Sequence, residues 1–478
     1  MPGRTKYDAI VVGSGPNGLA AAITLAEAGL STLVVEAQGT IGGGMRSKEL
    51  TLPGYVHDVC SSIHPMGVAS PFFRGLKFEE EELEWVHPPA PLAHPFPDGT
   101  AAILDRSTLV TGDLLGEDGR VYRRLMDPLV DSWQALLEDI LGPFPLPPKH
   151  PLFLIRFGLS ALRSVTGLAR DYFRGRNARA LFAGLGAHSM LSLNSPASAS
   201  FGLVLGSLGH AVGWPVARGG SQVIADSMAA RLKAMGGEIL TGFRVTSLNQ
   251  LPEYRILLLD ITPRQVLEIT GERLPARYRS QLRRYRYGSG VFKIDWALKE
   301  PIPWQARECF QAATVHVGGD LEAIAAAQSA VWKGEAAKEP FVILAQPSLF
   351  DGSRVPDGKQ LAWAYCHVPH GYPLDMTERI EAQIERFAPG FRQVILQRST
   401  FNPPEMQAYN ENYVGGDING GVQDLGQLFT RPTWSLKPYR TPVIGMYICS
   451  SSTPPGGGVH GMCGFHAAKT ALKDLKII

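Results

Sequence analysis

Residues 7–36 of this chain read YDAIVVGSGPNGLAAAITLAEAGLSTLVVE. The first six form a short apolar run suited to a strand buried on both faces. GSGPNG follows at once and puts Gly13, Gly15 and Gly18 in GxGxxG spacing. The residues after it favour a helix and stop at Gly29, a good residue just past a helix end. STLVVE then predicts a second strand ending in Glu36. Strand, glycine turn, helix, strand and acid arrive in the order that a dinucleotide site requires. Gly13 permits the tight turn, Gly15 lets the backbone approach a diphosphate, and Gly18 lets the helix pack closely on the strand. Together with Ser14, Pro16 and Asn17 they form a phosphate turn, where a helix N-terminus offers free N–H groups and partial positive charge. Glu36, with Ala37 beside it, is placed to accept hydrogen bonds from ribose hydroxyls, and its charge disfavours a 2′-phosphate.

The bulk composition narrows the classes around this site. The chain has 478 residues, enough to bury a large core and divide into two domains. Its 46 basic and 44 acidic residues leave a net charge of +2, which gives no sign of a nucleic-acid partner. The five cysteines are scattered and form no CxxC pair, so a disulfide framework, a zinc site or a dithiol redox centre is not expected. A strand-like segment begins within a few residues of Met1, leaving no room for a signal peptide, and no apolar run is long enough to span a bilayer. These features predict a cytoplasmic compartment.

A second glycine turn follows Glu36. GGGMRS, residues 42–47, supplies Gly43, Gly44, Met45 and Arg46. An arginine so close to the ribose-binding acid suits a longer and more deeply buried cofactor, with Arg46 neutralising the diphosphate or lying near a flavin. GxGxxG, then an acid, then GGGMR resembles the FAD-binding start of the phytoene desaturase and flavin amine oxidase superfamily. Residues 214–248 read as turn, amphipathic helix, glycine turn and strand. In the resembling family such a segment returns the chain to the FAD domain, and the strand brings a backbone edge to the adenine at the position of Val245. The tail CSSSTPPGGGVHGMCGFHAA, residues 449–468, resembles the same family's C-terminal box. There Gly457 and Gly458 lie against the flavin ring, and Val459 and His460 begin a helix aimed at it. A helix N-terminus there stabilises the charge that develops when the flavin accepts a hydride. Alanines and Gly464 keep that helix thin where it packs on the sheet. No aspartate precedes this loop, since Ser450, Ser451 and Ser452 fill the region, which agrees better with the desaturase side than with the amine oxidase side. Together with NYVGGDINGG, residues 412–421, these boxes most resemble the phytoene-dehydrogenase-related group of the pyridine nucleotide-disulfide oxidoreductase domain-containing protein 2 type.

The resemblance implies an α/β (α+β overall) fold. A Rossmann-like FAD-binding domain of the glutathione reductase type, residues 1–75, 210–262 and 430–478, is interleaved with a mixed-sheet-plus-helices substrate domain, residues 76–209 and 263–429. Within the latter, residues 151–186 are rich in leucine and arginine. A basic amphipathic surface touching anionic lipid is one reading; core-facing helices with a solvated basic face is the plainer one, which we prefer. Three residues are candidates for proton handling or substrate contact. Lys293 sits in an apolar strand-like alternation, where amine oxidases use a lysine to hold a water at the flavin; a lysine snorkelling to the surface is the alternative. His64 follows the second glycine turn, and His460 lies in the ring-facing loop. For both, a histidine bonding a loop carbonyl is the alternative.

The expected activity is FAD-dependent hydride transfer between a C–C bond of an apolar, extended, polyene-like substrate and flavin N5, with oxygen or a quinone as the electron acceptor. The alternatives are a flavin amine or amino-acid oxidase, a flavin-dependent isomerase or saturase, and a non-catalytic lipid-carrier or escort protein. The oxidase would show an aromatic cage, for which Trp363, Tyr365, Trp434 and Tyr439 are available. No metal site is expected.

Overall fold

Two sheets organise the chain. The computed structural model describes residues 5–79, 82–143 and 147–477. The first sheet is parallel throughout and has five strands, labelled here in chain order: β1 (Lys6–Val12), β2 (Thr32–Val35), β3 (Glu238–Leu240), β4 (Glu253–Leu259) and β5 (Met446–Ile448). Their spatial order is β5-β4-β1-β2-β3. Strand β1 sits in the middle, with Ile10 opposite Leu257 on one side and Leu33 on the other. A central parallel strand is covered on both faces, which is why AIVV can be apolar without alternation and why Ile10 and Val11 are fully buried.

Helix α1 (Pro16–Glu27) follows β1 across the glycine turn, with proline in its first turn, where a missing N–H costs nothing. Helices α2 (Gln222–Ala234) and α3 (Met462–Asp474) lie against it and share its apolar cluster, which includes Leu19, Ile23, Ile224, Met228 and Ala468. The strands of this sheet thus come from three separated stretches of chain.

The second sheet has seven strands, in the order 395–401, 290–298, 360–368, 342–345, 312–317, 90–95 and 101–104. It is antiparallel except for the pairing of Ala312–Val317 with Ala90–Pro95. Its strand Gly290–Leu298, second in that order, is buried along its whole length. One face packs on an apolar cluster with Trp296, Phe387 and Phe391, and helices from 119 to 211 form a second cluster around Phe173, Phe182 and Leu203. The mixed sheet and helices of the expected fold class are therefore present.

Candidate active site

The first glycine turn owes its shape to crowding. Gly13 has φ +102, a conformation open to glycine, and a Cβ at Gly18 would stand 2.1 Å from the Gly13 carbonyl oxygen. Strand and helix therefore meet closely. The C-terminal ends of β1, β2 and β4 open onto one cavity of about 410 Å³. Such sheets bind ligands beyond the carboxyl ends of their strands. Gly13, Ser14, Gly15, Pro16 and Asn17 line the cavity, with Glu36 and Ala37 from the end of β2 and Gly43, Gly44 and Arg46 from the second turn. Gly458 and Val459 from the C-terminal box line it as well. Glu36 and the tail thus border the same space.

Glu36 is a hub. Its Oε2 accepts hydrogen bonds from the Ser14 N–H at 3.0 Å and the Ser14 hydroxyl at 2.5 Å. Its Oε1 accepts from the Gln38 N–H at 2.9 Å and from Arg46 Nη2 at 3.0 Å. Arg46 is buried and also donates to the Thr40 carbonyl at 3.0 Å. The arginine is therefore fixed to the acid. Met45 lies in the apolar cluster behind the turn, and Gly18 binds within the framework; neither lines the cavity.

Two expectations about backbone path are corrected. The strand expected to carry Val245 ends at Leu240. Val245 lies in the loop after it, held by the Phe243 N–H donating to the Glu36 carbonyl, and still lines the cavity. The C-terminal helix begins at Met462 rather than at Val459 and His460, because Gly461 takes φ +69 before it. That helix packs on α1 as well as on the β4 and β5 side of the sheet, as expected, and a Cβ at Gly464 would fall 1.7 Å from the Asn17 carbonyl oxygen.

The three proton-handling candidates all point into the framework. His460 is buried, accepts the Met462 N–H on Nδ1 at 3.0 Å, and takes the Ser70 hydroxyl on its carbonyl at 2.6 Å. Gly457 lies against Asn419, and it too is absent from the cavity wall. His64 meets the Ser221 hydroxyl at 2.8 Å. Burial pulls both imidazoles down to about 4, so both are neutral. Lys293 does not snorkel. It is buried, paired with Asp295, and stands 5.3 Å from the ring of Trp363. Asp295 in turn lies 3.4 Å from His57 Nδ1.

The cavity is also lined by residues the sequence did not single out, beside two of the aromatic candidates. They are Trp214, His188, Thr314, Ile343, Leu344 and Ala345, with Trp363 and Tyr365. The last two lie on one face of the strand Gln360–Val368 and stack with ring centroids 5.8 Å apart. Of the other two aromatic candidates, Trp434 is largely exposed and Tyr439 is buried against His466, away from the cavity. His188 pairs with His316 through their Nε2 atoms at 2.9 Å, and burial pulls its ring down to about 4. Asp260, at the end of β4, accepts the Gly18 N–H at 2.8 Å and also lines the cavity. Its signal was legible, since an acid that ends an apolar parallel strand faces the ligand crevice.

The wall fits a flavin dinucleotide in two respects. Glycine backbone replaces side chains at both turns, and two polar atoms on lining residues, Asn17 Oδ1 and Asn419 Nδ2, are buried without a hydrogen-bond partner. Among the described residues no cluster of metal-ligating side chains occurs.

Comparisons with known proteins agree with this geometry. A family model for an NAD(P)-binding Rossmann-like domain matches residues 11–76. Pyridine nucleotide-disulfide oxidoreductase domain-containing protein 2 of Rattus norvegicus is 25% identical, with 99% of this chain and 94% of that protein aligned. A lycopene-forming phytoene desaturase of a Paracoccus species is 23% identical over 98% of this chain and 97% of its own. Among solved structures, a redesigned triple mutant of putrescine oxidase shares the fold with a TM-score of 0.63 at 19% identity, covering 98% of this chain and 99% of that one. The resemblance read from the glycine boxes is thereby supported along the whole chain.

Proposed function

We propose, on the premise that the chain is a flavin-type oxidoreductase of the phytoene desaturase and amine oxidase superfamily, that it holds FAD and oxidises an apolar, extended substrate at a C–C bond. The observation that carries this reading is that one cavity is bordered by the Gly13–Asn17 turn, by Glu36, by Gly458 and Val459, and by apolar side chains. The phosphate turn and the start of α1 would hold the diphosphate, Glu36 the ribose, the loop at Val245 the adenine, and Gly458 and Val459 the ring. FAD, when bound, supplies the hydride acceptor.

The chain's own residues do the rest. Ile343, Leu344, Ala345 and Trp214 give the cavity an apolar wall that excludes water and orients a hydrocarbon. His188 is the imidazole on that wall, neutral and backed by His316, and it can accept a proton on the cavity side. The electron acceptor in this reading is oxygen or a quinone.

The stacked pair Trp363 and Tyr365 favours a second reading, since two aromatic rings on the cavity wall are what an amine oxidase needs beside its ring. One experiment separates them. Purified protein is reconstituted with FAD and titrated anaerobically with polyenes and, separately, with primary amines, while flavin absorbance is followed. Bleaching by a polyene alone supports the first reading, and bleaching by an amine alone supports the second. A protein that takes up no FAD defeats both.

A further inference from the structure

The N-terminus of α1 already faces an acid. Asp260 Oδ2 sits 2.8 Å from the Gly18 N–H and would be 2.8 Å from a Cβ at Gly15, so the carboxyl stands against the phosphate turn itself. It is 5% exposed and borders the cavity beside Glu36. A carboxylate and a diphosphate at one helix N-terminus compete for the same partial positive charge. Among the described residues no cation acts on Asp260, and Arg46 is bound to Glu36. The other ionisable groups that face it are the thiols of Cys449, after β5, and of Cys463, in α3; burial raises both, so neither is an anion near neutrality. Asn412 donates to the Asp260 carbonyl and leaves the carboxyl alone.

We propose that Asp260 is a cofactor-binding residue that works as a neutral acid: FAD is held with Asp260 protonated, so that the carboxyl does not repel the diphosphate and can donate a hydrogen bond to it. This rests on the reading that the cavity holds FAD. The carboxyl is poised for the role, since burial first and the Glu36 charge second push it up to about 8 against the pull of the Gly18 and Gly15 N–H groups. The sign of the pH effect follows. Below that value the acid already carries its proton and FAD binding is independent of pH. Above it the unliganded protein has lost the proton and must take one up from solvent on binding. Affinity then falls roughly tenfold per pH unit.

The test uses FAD itself as the probe. Its dissociation constant is measured from about pH 6.5 to about pH 9, and calorimetry at the alkaline end is run in two buffers of different ionisation heat to count protons taken up. Wild type is expected to take up nearly one proton at about pH 9 and to bind about tenfold more weakly there than at neutrality. Asp260→Asn, which keeps an acceptor for Gly18 and a donor for the phosphate, is expected to bind equally well at both ends and to take up none. Wild-type binding without proton uptake overturns the inference and leaves the FAD reading standing. Failure of wild type to bind FAD at any pH overturns both. The wild-type proton count decides the matter even if the variant does not fold.

Discussion

Arg354 has no surface exposed, and its Nη2 lies 2.8 Å from Asp58 Oδ2, itself fully buried. Its guanidinium also donates to the Val56 carbonyl at 2.9 and 3.1 Å. Asp58 accepts from the hydroxyls of Ser47 and Ser62 and from the Ser221 N–H, so one carboxylate ties the segment after Arg46 to the start of α2. Burial pushes this acid up, but Arg354 and the three donors win and hold it at about 2. Arg354→Met strands that charge and is expected to cost about 3–5 kcal/mol in urea unfolding. The acid limb has a definite sign. The stability from Asp58 is complete above its ordinary value of 3.8 and is lost as pH falls through about 2. Urea midpoints of wild type should therefore drop across that window, and in Asp58→Asn this share of the drop should vanish. None of this was legible in the sequence. Glu36 was, because the residues that give it meaning lie beside it in the chain, whereas Asp58 and Arg354 meet only through tertiary folding.

At the scale of elements, the β1–α1–β2 unit could be read because every residue that shapes it is local, from the apolar run to the glycines to the acid. The tail was legible in kind and misplaced in detail. Its helix starts after Gly461, where a left-handed backbone ends the loop, and no periodicity marks that point. Helix α3 packs on α1 with Gly464 against the Asn17 carbonyl, in the middle of the phosphate turn. Gly464→Ala should therefore do two things. It forces the helices apart at a cost of about 1–3 kcal/mol, read from urea unfolding. It also displaces Asn17, which lines the cavity, so FAD retention during gel filtration should fall at concentrations where wild type stays yellow. A variant as stable as wild type that keeps its FAD would mean that the two helices are not held at this distance. The loop at Val245 shows the opposite limit. The strand before it is only three residues long, too short for its end to be set by pattern alone.

At the scale of the whole molecule, the leucine- and arginine-rich stretch 151–186 resolves into three helices, of which the first two have different fates. Val165 and Leu168, in the helix Val165–Tyr172, are fully buried in the helical cluster, as the plainer reading expected. The helix before it, Pro151–Ala161, turns outward. Leu152 is 84% exposed, Leu159 74% and Ile155 62%, and Leu162 and Arg156 are exposed beside them. The sequence mixed the two patterns because helical periodicity marks an apolar face without saying whether protein covers it. No single helix among the described residues is long and apolar enough to cross a membrane. A short apolar face flanked by arginine suits shallow seating at an interface. Vesicles containing anionic lipid should therefore sediment the protein at low salt, and added salt should release much of it. The double variant Leu152→Ser, Leu159→Ser should lose the association while its urea midpoint stays within about 0.5 kcal/mol of wild type, because neither side chain has packing to lose. If wild type stays in the supernatant at low salt, the outward face has another role. If the double variant sediments as well as wild type, the arginines alone hold the lipid and the leucines do not insert.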